Sequence, residues 1–346
     1  MRAKAILLAA ACSTAPMLCA QQSAVSLVKL KATAKVEVSM SQRASLFGQA
    51  TCDGAGNVYV RQLDVETSRN PSGPTRLPIQ EVTPAGMLVR NFRVTNAFRD
   101  EVEGMEVFVD QNGRVYQAAM VGDDVYVVEF APDSSVKTRT KLDVGSRHFT
   151  SITRLAVFSS GEYLLVGETG KTGHVPFTAV FAADGRLMKE IYEPEDKDAQ
   201  QKADAGDTEY VGTGGSVGNR FVNVGDVAVG SDGNAYLLHG TSPALIYVIS
   251  PAGAVVRKLR VTVDDLDFGA ASIKAYAGRL AIGFIRSSDG AISIKVIDLK
   301  GNSIGDYGMD AVGTYSLALA CYGDEGLTLI PQFAESKLYL FKAKLP

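Results

Sequence analysis

The 346-residue sequence has no tryptophan, three histidines and four cysteines. His148, His174 and His239 fall into no H-E-x-x-H or other zinc-ligand spacing, so a histidine-built metal centre is not written locally in the chain. Each reads as a surface or strand residue. With no Trp, and with 14 Phe and 13 Tyr scattered along the chain, no aromatic platform for stacking sugars is evident. A basic excess is also missing: 35 Lys and Arg stand against 38 Asp and Glu, a net charge of −3. That balance argues against a nucleic-acid binder, which needs a cationic footprint. Gly (34) and Pro (12) are at ordinary usage, excluding collagen-like and low-complexity chains. A hydrophobic content of 46% excludes a disordered one. The one uninterrupted apolar stretch of note, Ala5 to Cys12, is far short of the roughly 20 residues that span a bilayer.

That stretch follows Arg2 and Lys4 and precedes the less apolar Ser13 to Ala20, the three-part layout of a secretory signal peptide. Cleavage is placed between Ala20 and Gln21. The mature chain, residues 21–346, is expected to be a secreted or periplasmic single domain without a transmembrane segment. Losing Arg2 and Lys4 moves the net charge from −3 to −5. Cys12 and Cys19 leave with the leader, so Cys52 and Cys321 remain, in an oxidising compartment.

One short phrase recurs: a β-rich run, a tight turn with Gly, another β-rich run. The copies are Asp53 to Val60, Asp110 to Gln117, Ser159 to Val166, Ser231 to Leu238, Tyr276 to Gly283 and Gly323 to Ile330. Their glycines, at 56, 113, 161, 233, 278 and 326, step by 57, 48, 72, 45 and 48 residues, near the roughly 40 to 50 of a propeller blade with two insertions. Gly recurs because tight hairpin loops need positive φ, which it adopts without a Cβ penalty. A second turn follows five of the six: Pro84-Ala85-Gly86, Pro132-Asp133-Ser134, Asp184-Gly185, Pro251-Ala252-Gly253 and Lys300-Gly301-Asn302. Each unit is thus a four-stranded antiparallel meander, except the last, which stops one strand short. The spare β-rich stretch Ala24 to Val38 supplies the missing strand and closes an all-β, six-bladed β-propeller.

The unit Val227 to Val261 (VAVGSDGNAYLLHGTSPALIYVISPAGAVVRKLRV) resembles an NHL-type repeat of six-bladed propellers. The resemblance implies the fold and leaves function to the sites carried on it. Cys52 and Cys321 sit at equivalent points of the first strands of units one and six. Those units are neighbours only in a closed ring, so a disulfide between them is expected; the alternative is two buried thiols. Two connections exceed the repeat: Thr67 to Pro78, and an inserted loop at Tyr192 to Gly218. Within the latter, Gly214 to Gly218 (GGSVG) matches G-x-S-x-G in letters only, because no strand precedes it and no helix follows.

The first strand of each blade lines the channel, so residues a fixed distance before each glycine form rings. Seven before lie Gln49, Glu106, Arg154, Asp226, Ala271 and Leu319; ten before, the ring includes Glu103, Ser151 and Asn223. Two readings follow. Glu106, Arg154 and Asp226 make a salt-bridge network, or Glu103, Glu106, Asn223 and Asp226 form an oxygen-rich Ca²⁺ site of the kind some six-bladed hydrolases and lactonases carry. Arg154 competes with a metal there. The leading expectation is a monomeric binding scaffold, without cofactor, for a protein, peptide or glycan. The alternative is a metal-dependent hydrolase, lactonase or lyase using Ca²⁺ in the channel.

Overall fold

The computed structural model describes residues 27–38, 46–63, 75–98, 102–170, 175–192, 224–241, 243–265, 267–310, 317–324, 326–331 and 338–345. The leader, His174, Asn223 and the inserted loop beyond Tyr192 lie outside them, as does Thr67 to Pro74.

Six four-stranded antiparallel meanders make up the chain. Blade 1 holds β3 (Leu46–Cys52), β4 (Val58–Leu63), β5 (Ile79–Val82) and β6 (Leu88–Phe92). Blade 2 holds β7 (Glu103–Val109), β8 (Val115–Val121), β9 (Asp124–Phe130) and β10 (Val136–Lys141). Blade 3 is β11 (Phe149–Val157), β12 (Tyr163–Thr169), β13 (Val175–Phe181) and β14 (Leu187–Glu190). Blade 4 is β15 (Val224–Val229), β16 (Ala235–His239), β17 (Ala244–Ile249) and β18 (Val255–Val261). Blade 5 comprises β19 (Phe268–Tyr276), β20 (Arg279–Arg286), β21 (Ile292–Asp298) and β22 (Ser303–Met309). Blade 6 comprises β23 (Leu317–Gly323), β24 (Gly326–Pro331), β25 (Leu338–Ala343) and, from the other end of the chain, β2 (Ala34–Val38). The first strands adjoin in the cyclic order β3, β7, β11, β15, β19, β23 and back to β3, which makes the ring a six-bladed β-propeller. Among the described residues there is no α-helix, only a 3₁₀ turn at Val94–Ala97.

The middle strands are apolar because neighbouring blades cover both of their faces. In β17, ALIYVI, every residue is buried, whereas the outer strand β18 alternates between exposed and buried positions. Six apolar clusters fill the six seams between blades, from Phe92 with Phe130 at the seam of blades 1 and 2 to Val60 with Leu340 at the seam of blades 6 and 1.

All six repeat glycines have φ between +75° and +116°. The five second turns also carry one positive-φ residue each, and at Ser134 it is not glycine. The turns are drawn tight by aspartates: Asp53 Oδ1 accepts from the backbone N of Ala55 (3.0 Å) and Asn57 (2.9 Å), and Asp298 repeats this with Lys300 and Asn302 (2.8 Å each).

Ring closure occurs as expected for β2, which pairs antiparallel with β25 from Ala34↔Lys342 to Val38↔Leu338. Ala24 to Val38 is not one strand, however. Val28–Lys29 forms β1, which pairs in parallel with β22 and so extends blade 5. Fifteen extended residues would span about 50 Å, far beyond one blade edge, so the segment clasps two blades in turn. Cys52 and Cys321 form a disulfide with a Cα separation of 5.4 Å, joining the first strands of blades 1 and 6.

Candidate functional site

The meander sorts its connections by length. Turns between first and second strands, and between third and fourth, are tight hairpins and emerge on one side of the ring, here the tight face. Connections between second and third strands, and from blade to blade, emerge on the other, the wide face. Both long connections noted in the sequence belong to the wide face: the one between β4 and β5 and the one between β14 and β15.

At the tight face the channel is crossed. Gln111, in the β7–β8 hairpin, donates from Nε2 to the carbonyl oxygen of Ala275 at the end of β19 (3.1 Å). Blades 2 and 5 stand opposite one another, so this bond spans the ring. The Gln111 carbonyl also accepts from Gly54 N of blade 1 at 3.0 Å.

Deeper in the channel lies a layer of charge. Every first strand shifts register against its neighbour: at 48–49 in β3, 105–106 in β7, Gly225 in β15, Ala271 in β19, Ala320 in β23 and, twice, at Thr150 and Thr153 in β11. A bulge re-aims the side chains beside it. Glu106 is 2% exposed and is approached by charges from four other blades: Arg61, Arg154, Asp226 and Lys274. Its Oε1 lies 3.9 Å from Nη1 of both Arg61 and Arg154. Burial pushes its carboxyl above the ordinary glutamate range, against the pull of Arg154 and Arg61. Arg61 is lowered by the same burial and held up by Glu106. Arg61 Nη2 also donates to the Gly104 carbonyl at 3.2 Å, and a Cβ at Gly104 would strike Gln117 Nε2.

Asp226 is fixed on three sides. Its Oδ2 accepts from Lys274 Nζ (2.8 Å) and Ile273 N (2.9 Å), and Oδ1 from Val227 N (2.9 Å). Arg154 Nε donates to the Gly225 carbonyl at 2.9 Å.

The structure therefore brings Glu106, Arg154 and Asp226 into one layer. Gln49 lies at the β3 bulge, Glu103 is exposed at the wide-face end of β7, and Asn223 is outside the described residues. Among the described residues no group of three His, Cys, Asp or Glu is gathered closely enough to hold a metal. Arg61 and Lys274 escape the counting from the glycines, because Arg61 comes from a second strand and Lys274 sits only four residues before Gly278. A lone charge inside a buried strand, as in VYVRQL and FGAASIKAY, is the signal that marks them.

No family model matches the chain, and no curated protein sequence matches it. Solved structures do. A protein assigned as a gluconolactonase aligns with TM-score 0.51 at 12% identity over 91% of this chain and 94% of that one. A luciferin-regenerating enzyme aligns with TM-score 0.51 at 7% identity, covering 90% and 96%. The calcium-binding protein regucalcin from Agrobacterium tumefaciens aligns with TM-score 0.50 at 11% identity, covering 92% and 95%. At these identities the likeness is one of architecture alone: the chain shares with them the six-bladed β-propeller.

Proposed function

We propose that this chain is an exported, monomeric β-propeller that serves as a binding scaffold for a protein, peptide or glycan, and that it binds at the wide face. The observation that carries this reading is the Gln111–Ala275 bond. It spans one end of the channel, and the longer connections all belong to the other end. Loops on a rigid frame are where recognition is placed. The NHL-type reading of Val227 to Val261, which covers most of blade 4, belongs to the same proposal. Export rests on the leader layout of residues 1–20, and the Cys52–Cys321 disulfide fits an oxidising compartment. Among the described residues no helix is long and apolar enough to cross a membrane.

The test is site-directed photo-cross-linking in the native envelope fraction, with the reactive residue at Asp264 on the wide face or at Glu162 on the tight face. A discrete adduct from position 264 and none from 162 is expected. The reverse pattern overturns the assignment of the face.

A second reading, a metal-dependent hydrolase, lactonase or lyase, is favoured by one observation: Glu106 Oε2 is buried without a hydrogen-bond partner. The Ca²⁺ site would be drawn from Glu103, Glu106, Asn223 and Asp226. Lys274 on Asp226, and the two guanidiniums beside Glu106, weigh against it. Calorimetric titration of chelator-treated protein with Ca²⁺ and Zn²⁺ separates the readings: the scaffold gives no heat, and the enzyme gives heat that Glu106→Ala and Asp226→Ala abolish.

A further inference from the structure

We propose that the acidic stretch Glu193 to Glu209 is held in a basic groove on the outer rim between blades 3 and 4, lined by Lys189, Lys258 and Arg260. The long connection that contains it is thereby carried along the outside of the ring. The inference is independent of what the wide face binds.

The groove follows from strand pairing. Directly paired residues of antiparallel strands put their side chains on one side of the sheet. Lys189 of β14 pairs with Val180, and Lys258 and Arg260 of β18 pair with Tyr247 and Leu245. Val180, Tyr247 and Leu245 all belong to the apolar cluster at the seam of blades 3 and 4, so the three cations stand on the outer rim of that seam. Two of them are supported from below. Lys258 Nζ lies 5.4 Å over the Tyr247 ring, and the Lys189 stem passes so close to Gly253 that a Cβ there would lie 3.1 Å from Lys189 Cβ. The strands themselves bring no counter-charge to this side. β17 and β18 contain no acidic residue, and Glu190 of β14 pairs with Ala179 on the opposite side, toward blade 2, where it binds Arg147.

The course of the chain indicates the occupant. Three other steps between blades, residues 142–148, 262–267 and 310–316, take six or seven residues each, whereas the step from blade 3 to blade 4 takes residues 191–223. Most of that step is surplus to the crossing. Its described part ends at Tyr192, next to Ile191, which is buried in the same seam. The acidic stretch starts at the following residue and carries seven carboxylates against Lys197 and Lys202, a net charge of −5. The connection thus leaves the outermost strand of blade 3 at the wide-face end of the groove. Its charge is concentrated in the half nearest the rim, and the Gly-rich Gly212 to Gly218 lies in the half nearest β15 at the channel. The rim on the other side of blade 3 competes poorly, because Arg147 is held by Glu190 and Lys141 by Asp124 at 2.7 Å. Charge pairs at a surface are weak singly, and a run of carboxylates meeting three cations forms a network.

The experiment is zero-length carbodiimide coupling of the full chain, which joins a carboxylate to an amine only where the two touch, followed by peptide mapping of the monomer. Adducts between residues 193–209 and Lys258 are expected. Lys189, four residues from Glu193, reports chain proximity alone and is not counted. The yield at Lys258 should fall about fivefold in Lys189→Glu/Arg260→Glu, and by a similar factor in 1 M sodium chloride, where the screening length is roughly 3 Å. Lys189 and Arg260 are exposed, so these changes leave the fold in place. Arg260→Lys puts a second amine in the groove, so that poor reactivity of Lys258 does not decide the result. The proposal is overturned if adducts are absent at both 258 and 260, if the segment couples to Lys137 of blade 2 instead, or if the yield is indifferent to the double variant and to salt.

Discussion

The Lys274 ammonium stands 2.8 Å from the Asp226 carboxylate, both buried in the channel and contributed by the first strands of adjacent blades. Each group is affordable there only because of the other. Removing one partner of a buried pair strands the remaining charge, at a cost of about 3 to 5 kcal/mol. Lys274→Met is therefore expected to lower unfolding stability by that amount. The double variant Lys274→Met/Asp226→Leu recovers a large part of it. Denaturant unfolding of these three proteins and of Asp226→Leu checks this; additive losses would show that the two groups do not depend on one another.

Glu106 carries an unusual sign. Its folded pKa is raised above the unfolded value, chiefly by burial, so the protonated form favours the fold. The contribution is complete below the ordinary glutamate range and is lost as pH rises through the elevated folded value. Stability of the native protein relative to Glu106→Gln should fall as pH climbs from about 4.5. Urea midpoints of both proteins across pH 4 to 9 test this, and parallel curves contradict it. Arg154, Arg61, Asp226 and Lys274, the charges that act on Glu106, are present in both proteins.

The Cys52–Cys321 bridge closes a loop with a sequence separation of 269. In the chain-entropy account such a loop stabilises by about 5 to 6 kcal/mol. Cys52→Ser/Cys321→Ser is expected to unfold at lower denaturant by that margin. Denatured but unreduced native protein should show no free thiol among its mature cysteines, and two reactive thiols would refute the bridge.

Gly86 turns the corner between β5 and β6 at φ +84°, and a Cβ there would strike Val36 and lie 2.9 Å from the Glu37 carbonyl oxygen of β2. Gly86→Ala combines a left-handed alanine with a clash against the closing strand, expected at about 2 kcal/mol. Gly122→Ala provides the control: φ is also positive, at +58°, but nothing lies within 4 Å of the new Cβ. Equal losses in the two variants would mean that backbone conformation alone accounts for the effect.

Much of this was legible from punctuation. Gly56, Gly113, Gly161, Gly233, Gly278 and Gly326 all hold the positive φ that marked them, and the turn count correctly called for a strand from the other end. The Cys52–Cys321 pairing followed from ring closure. Glu106, Arg154 and Asp226 were found by counting back from the glycines, which works because the first strands are equivalent. Arg61 was not, since it crosses from the second strand of blade 1 past Gly104, a path visible only in three dimensions. The division of Ala24 to Val38 between two blades was hidden for a similar reason. A run of β-formers records that it pairs, and not with how many edges.

β2 is the second strand in chain order, and the strand it pairs with, β25, is the last. A polypeptide made from its amino end must therefore keep residues 34–38 unpaired while five blades are laid down. Completion of the sixth waits for residues 338–343, and its edge is open until then to any other strand that reaches it first.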